Sequence, residues 1–179
     1  MVMAWWVQAG LAFAQDPLTQ RLETRHTVIL YDTTDTLARL ESSVDYKPEG
    51  YSFGGIFSPA PKGNDLLEAV TQKVDGLYER VQEILDMRGK IKKKVTLRVH
   101  PDREALARAY QAFTGNPNLQ VRAWYIYEQN TVYLNVRDVH EGIVAHEVAH
   151  AIIDHYLMVR PPRTTAEILA RYVDEHLHY

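Results

Sequence analysis

The stretch from Asp138 to Leu157 constrains this chain more than any other. Read at helical spacing, its apolar residues Ile143, Val144, Val148, Ala149, Ile152 and Ile153 wrap most of the circumference, which predicts one helix buried in the middle of a domain. Asp138 reads as its N-cap, with Glu141 three residues later completing a capping box. Inside this helix stands His146-Glu147-Val148-Ala149-His150. Positions four apart share a helix face, so the two imidazoles can ligate one metal ion. Glu147 points at a different angle and can contact a water on that metal, the general-base geometry of a zinc hydrolase. Two histidines and a glutamate in a buried helix are costly unless something satisfies them, and a bound metal does so. The competing reading is a pair of buried histidines hydrogen-bonded to backbone carbonyls.

The remaining chain reads as strand, helix, helix, strand, helix, strand hairpin, helix, helix. Strands are expected at Thr24 to Tyr31, Val95 to Val99, Val121 to Glu128 and Thr131 to Val136, and helices at Thr34 to Tyr46, from Asn64 or Asp65 to about Arg88 with Gly89 ending it, and from an Asp102 cap to about Thr114. After the metal helix, Arg160-Pro161-Pro162-Arg163 is a stiff connection, and Thr164 or Thr165 caps a final helix. This order implies an α+β architecture, a mixed sheet with helices on it. The segment from Lys47 to Gly63, rich in Gly, Pro and aromatic residues, reads as a long irregular loop.

Composition narrows the partners. The chain of 179 residues carries a formal charge of -3, which gives no basic field for nucleic acid. Cysteine is absent, so a metal site must be built from His and carboxylates. Residues 1–14 are uncharged and end in Ala12-Phe13-Ala14, the pattern of a signal peptide, and are too short for a membrane span. The expectation is export to a periplasmic or extracellular location, with residues 15–179 forming a single domain; if residues 1–14 are not a signal, the alternative is a cytoplasmic protein or an apolar first element packed on the core.

A catalytic zinc takes three protein ligands and keeps one position open. Downstream candidates for the third are Asp154, His155, Glu167, Asp174, Glu175, His176 and His178. Asp154 lies about 6 Å beyond His150 by helix rise and reads as a surface or hinge carboxylate. A third histidine six residues after the second, with a glycine between, is missing because those positions hold Tyr156 and Ile153. Glu167, in the first turn of the last helix, can fold back across the metal helix and present its carboxylate to the open side.

With Glu167-Ile168-Leu169-Ala170-Arg171-Tyr172 following His150 at this distance, the chain resembles the gluzincin metallopeptidases, in particular small peptidase MA-like domains, whose second motif commonly reads E-G-L-A-x-Y. Glu167, Leu169, Ala170 and Tyr172 match it, and the resemblance extends diffusely from Leu66 to Tyr179. It implies a zincin-like fold, a Zn2+ ion held by His146, His150 and Glu167, and peptide hydrolysis with Glu147 as general base. It also implies that an extended peptide or unfolded protein substrate binds along the strand just before the metal helix, Thr131 to Val136. Ile168 stands in place of the motif's glycine, and Arg171 where several gluzincins carry the acidic residue that orients a zinc histidine. Asp174, on the same helix face, is the candidate for that role. Tyr156, Tyr172 and His176 are candidates for stabilising the oxyanion. Only 12 residues follow Glu167, leaving no room for the helical subdomain that walls the cleft in larger relatives. The site is therefore expected to be shallow and wet unless a partner or missing domain completes it, and the alternative function is a non-catalytic metal-binding or peptide-binding module.

Overall fold

The computed structural model describes residues 16–48, 62–89, 93–118 and 120–178. The expected signal peptide and most of the Lys47 to Gly63 loop lie outside them. Five strands and five helices follow one another as β1 (Gln20–Glu23), β2 (Thr27–Tyr31), α1 (Thr34–Ser43), α2 (Asn64–Ile84), β3 (Val95–His100), α3 (Arg103–Thr114), β4 (Ala123–Ile126), β5 (Thr131–Asn135), α4 (Glu141–Tyr156) and α5 (Arg163–His176). The strands form one mixed sheet in the order β1-β2-β3-β5-β4. β2, β3 and β5 run parallel, while β1 and β4 pair antiparallel at the two edges. The α+β expectation stands at this level.

Alternation along β3 divides the core. Val95, Leu97 and Val99 join the large cluster that includes Leu37 and Leu40 of α1, Val70 and Leu77 of α2, Val148 and Ile152 of α4 and Ala170 of α5. On the opposite face Tyr133 and Ile126 pack with Leu106 of α3. α4 is thus enclosed by the sheet, α2 and α5, which accounts for its nearly uniform apolar sequence. In α2, Gly76 passes Pro48 so closely that an added Cβ would lie 2.5 Å from the proline Cβ.

Several boundaries differ from the sequence reading. α4 begins at Glu141, and its N-cap is His140, whose Nδ1 accepts from the Gly142 N–H at 3.2 Å. Asp138 belongs instead to the preceding turn, where it accepts from Asn135 Nδ2 at 2.8 Å. α2 stops at Ile84, short of Gly89, because Asp86 turns left-handed at φ 52. α5 is capped by Pro162 without a side-chain bond, so neither Thr164 nor Thr165 is the cap. The first expected strand is β2, beginning at Thr27, and an unexpected strand, β1, precedes it: Thr24 folds the chain back between the two, and Asp75 of α2 accepts from Thr24 Oγ1 at 2.6 Å and from the Arg25 and His26 N–H groups at 3.0 and 3.1 Å. The Asp102 cap is as expected, accepting from the Ala105 N–H at 2.8 Å.

The largest correction concerns Thr131 to Val136. β5 pairs with β3 on one side and β4 on the other, so it is internal and has no free backbone edge for a peptide. The edge next to α4 is β4.

At the end of β3, His100 is 2% exposed and neither ring nitrogen has a hydrogen-bond partner among the described residues. Burial, reinforced by the Arg98 charge, holds its pKa down at about 4. The unfolded chain, titrating near 6.5, therefore binds more protons between pH 6.5 and 4, and stability is complete above that window and lost as pH falls through it. Comparing urea unfolding of His100→Leu with the parent at pH 7 and pH 4.5 should show the difference moving by about 2–3 kcal/mol in favour of leucine at the lower pH. A pH-independent difference would mean that the buried imidazole is not what titrates.

Candidate metal centre and cleft

The polar side chains of α4 come together at the seam where α5 crosses it. Helical spacing puts His146 and His150 on one face, with ring centroids 5.0 Å apart. After the Pro161-Pro162 turn, α5 returns along α4 and sets Glu167 opposite both rings. One carboxylate oxygen, Oε2, lies 3.7 Å from His146 Nε2 and 3.7 Å from His150 Nε2. One ligand atom from each of the three residues falls within 4.8 Å of the others, a cluster that could hold a metal ion. Among the described residues no other group of three or more His, Asp and Glu side chains meets that spacing. The three residues singled out from the sequence are brought together.

His146 is oriented from behind. Its Nδ1 lies 2.9 Å from Asp174 Oδ2, so the aspartate about two turns beyond Glu167 takes the position that Arg171 does not fill. The Asp174 hydrogen bond raises the pKa of His146, whereas burial lowers that of His150. With Nδ1–H donated to Asp174, Nε2 is left as a free lone pair toward Glu167, the tautomer a metal requires.

Glu147 occupies the same hollow from a different angle. Burial pushes its carboxyl up to about 7, opposed chiefly by neighbouring His146 and by a hydrogen bond from the Tyr125 backbone N–H. The carboxyl therefore faces the sheet edge. Arg122 C=O accepts from the Asn135 N–H, so Arg122 and Trp124 turn their backbone groups toward β5. Alternation along an antiparallel strand then turns Ala123 and Tyr125 outward over the cleft. With the Tyr125 N–H engaged by Glu147, the outer edge offers the Ala123 N–H and C=O and the Tyr125 C=O.

The cleft runs along this edge in two arms that share Val121, Ala123, His146 and Glu147. One arm, about 580 Å3, continues past Trp124 and Tyr125 to Asp154, Arg160 and Arg163. The other, about 540 Å3, continues past Arg122 to His140, Glu141, Asp174 and His178. Asp154 corrects the sequence reading: its side chain is only 5% exposed and its Oδ2 pairs with Arg160 Nε at 3.2 Å. It is a buried wall of the cleft, because the chain after α4 doubles back and covers it.

Other candidates stand away from the centre. His155 contacts the Tyr125 hydroxyl at 3.1 Å. Tyr172 and His176 stack on each other with centroids 4.0 Å apart, and Tyr156 packs beside Gly89, so none of the three oxyanion candidates lines either arm. His178 lies 3.5 Å from Glu141. Sequence reasoning missed Arg160 and Asp154 as a pair; their separation by six residues across a helix end carries no periodic signal.

Compared with models of protein families, with curated proteins and with solved structures, the chain gives no match. The centre must therefore be understood from its own geometry.

A divalent cation that binds only the folded site stabilises the fold by mass action. Melting with and without added cation should show an upward shift for the parent, none for Glu167→Ala, and for Asp174→Asn a cation affinity lower by roughly 10- to 100-fold. Equal shifts in all three would place the cation elsewhere.

Proposed function

We propose that the protein is a zinc-dependent peptidase of gluzincin type with a zincin-like fold. The observation that carries this reading is the convergence of His146, His150 and Glu167 on one point, with the Glu147 carboxyl beside it. Two imidazole nitrogens and a carboxylate oxygen suit Zn2+. In a tetrahedral site with bonds near 2.1 Å, donors stand roughly 3.4 Å apart. The 3.7 Å separations between Glu167 and the two histidines match that span with little rearrangement. A structural zinc site is closed by four protein ligands, whereas this cluster supplies three.

When bound, the zinc lowers the pKa of a water and polarises the scissile carbonyl. Glu147 accepts the proton of the attacking water and returns it to the leaving amine. Its elevated pKa in the metal-free site brings it near neutral pH, and a cation beside it lowers it again toward the ionised form that a base requires. The Tyr125 N–H restrains the carboxylate. Asp174 fixes the His146 ring. An extended peptide pairs with the Ala123 N–H and C=O along the outer edge of β4, where an open strand edge adds another strand. Among the described residues no helix is long and apolar enough to cross a membrane.

The test is turnover set against metal content. Zinc-loaded parent protein should cleave an unfolded protein substrate; Glu147→Gln should hold one equivalent of zinc yet lose about 10²–10⁴-fold in kcat. Zinc bound by both with nothing cleaved by either sinks the peptidase reading and leaves a metal-binding module.

A further inference from the structure

Outside the ligand cluster, the arm of the cleft that passes Trp124 and Tyr125 carries two guanidinium groups, Arg160 and Arg163. Arg160 is unusually well fixed for a surface arginine. Its Nε lies 3.2 Å from Oδ2 of the buried Asp154 in an ion pair, and its guanidinium lies over the Tyr127 ring at 4.4 Å from the centroid. Tyr127 in turn stacks on His155, whose Nε2 meets the Tyr125 hydroxyl at 3.1 Å. One edge and one face of the guanidinium are thus occupied by protein, while the side chain keeps 53% of its surface exposed. A planar fork held in this way retains Nη donors suited to a carboxylate and loses little rotamer entropy when it binds one. Arg163 adds a second cation at the rim, 93% exposed and 3.7 Å from Glu167. The opposite arm carries Glu141 and Asp174 with Arg122, and lacks such a pair.

We propose that the Arg160 arm is a carboxylate-recognition subsite, selecting peptides that place an acidic side chain or a terminal carboxylate there. The proposal rests on the peptidase reading above. Strand direction separates the two sources of carboxylate. A peptide antiparallel to β4 runs from Tyr125 toward Ala123, which puts residues N-terminal to the scissile bond beside Arg160, where only a side chain can supply the group. A parallel peptide puts its C-terminal part there, and a free chain end can serve.

The experiment uses labelled peptides that differ only by Glu or Gln at each position flanking the scissile bond, each with a free or an amidated C-terminus. Cleavage by the zinc-loaded parent is measured, and binding to zinc-loaded Glu147→Gln is followed by fluorescence anisotropy. Glu is expected to be favoured over Gln by roughly 10-fold or more at one position N-terminal to the scissile bond, as for a hydrogen bond to a charged group. The ratio should collapse toward unity in Arg160→Ala and stay intermediate in Arg160→Lys. Because Arg160→Ala leaves Asp154 buried without its partner, the double variant Asp154→Asn/Arg160→Gln is measured beside it; a ratio taken within one variant is unaffected by how much of it is folded. A preference for the free over the amidated C-terminus, lost in the same variants, assigns the subsite to the chain end.

Peptides cleaved with neither a Glu nor a free-C-terminus preference, or with one that the Arg160 variants keep, overturn the subsite and leave the peptidase standing. If zinc-loaded protein cleaves nothing, the peptidase reading falls, and anisotropy decides the subsite: a preference for Glu or for the free C-terminus that removing Arg160 abolishes upholds it, and equal binding of all the peptides overturns it.

Discussion

A helix that is apolar on nearly every side has to be enclosed, and the enclosure of α4 organises this molecule. The sheet, α2 and α5 close around it, with Val148, Ala149, Ile152 and Ile153 each 2% exposed or less. Polar side chains on such a helix have only one place to go, the seam that α5 and the β4 edge leave open. His146, Glu147 and His150 all lie there, and α5 completes the seam with Glu167 and Asp174. The same packing that buries the apolar faces therefore sets the donor positions, so the site needs no loop to assemble it.

The electrostatics follow from that placement. A carboxyl at the seam loses water and is pushed upward, as Glu147 is, while a histidine given a carboxylate partner has its pKa raised, as His146 does. The two histidines thus differ although they stand one turn apart: Asp174 backs His146, whereas burial, with the neighbouring His146, lowers His150. The hollow thus gathers carboxyls and imidazoles pushed in different directions: burial raises Glu147 and lowers His150, while the Asp174 hydrogen bond raises His146.

Most of this was legible in the sequence where a local rule governs. The spacing of His146 and His150, the enclosure of α4 and the Asp102 cap depend on neighbours a turn away, and the structure keeps each of them. What failed depends on partners far along the chain. Asp138 carries the right chemistry for a cap, but Asn135 engages it in the turn and His140 takes its place. Whether β4 or β5 forms the edge is decided by the insertion of β5 beside β3, a pairing that no alternation pattern encodes. Asp154 reads as a surface carboxylate until Arg160 folds back upon it. Pairing and burial of this kind are properties of the assembled sheet and helices.

The sequence also raised the expectation that a chain with so little after Glu167 would have a shallow, water-filled site. Glu147 stands part-buried within that site. Its carboxyl is raised to about 7 by burial, against the lowering influence of His146 and the Tyr125 N–H, so the water excluded from it must be displaced by elements already named. Those elements are α4 beneath, the β4 edge alongside, and α5 with the Asp154–Arg160 pair at one end. Desolvation acts over the few ångströms around a charge, and a wall is needed only where charge develops. The reach of the cleft beyond that point governs which peptides are held and how firmly. The local environment of Glu147 is supplied by the fold of this chain itself.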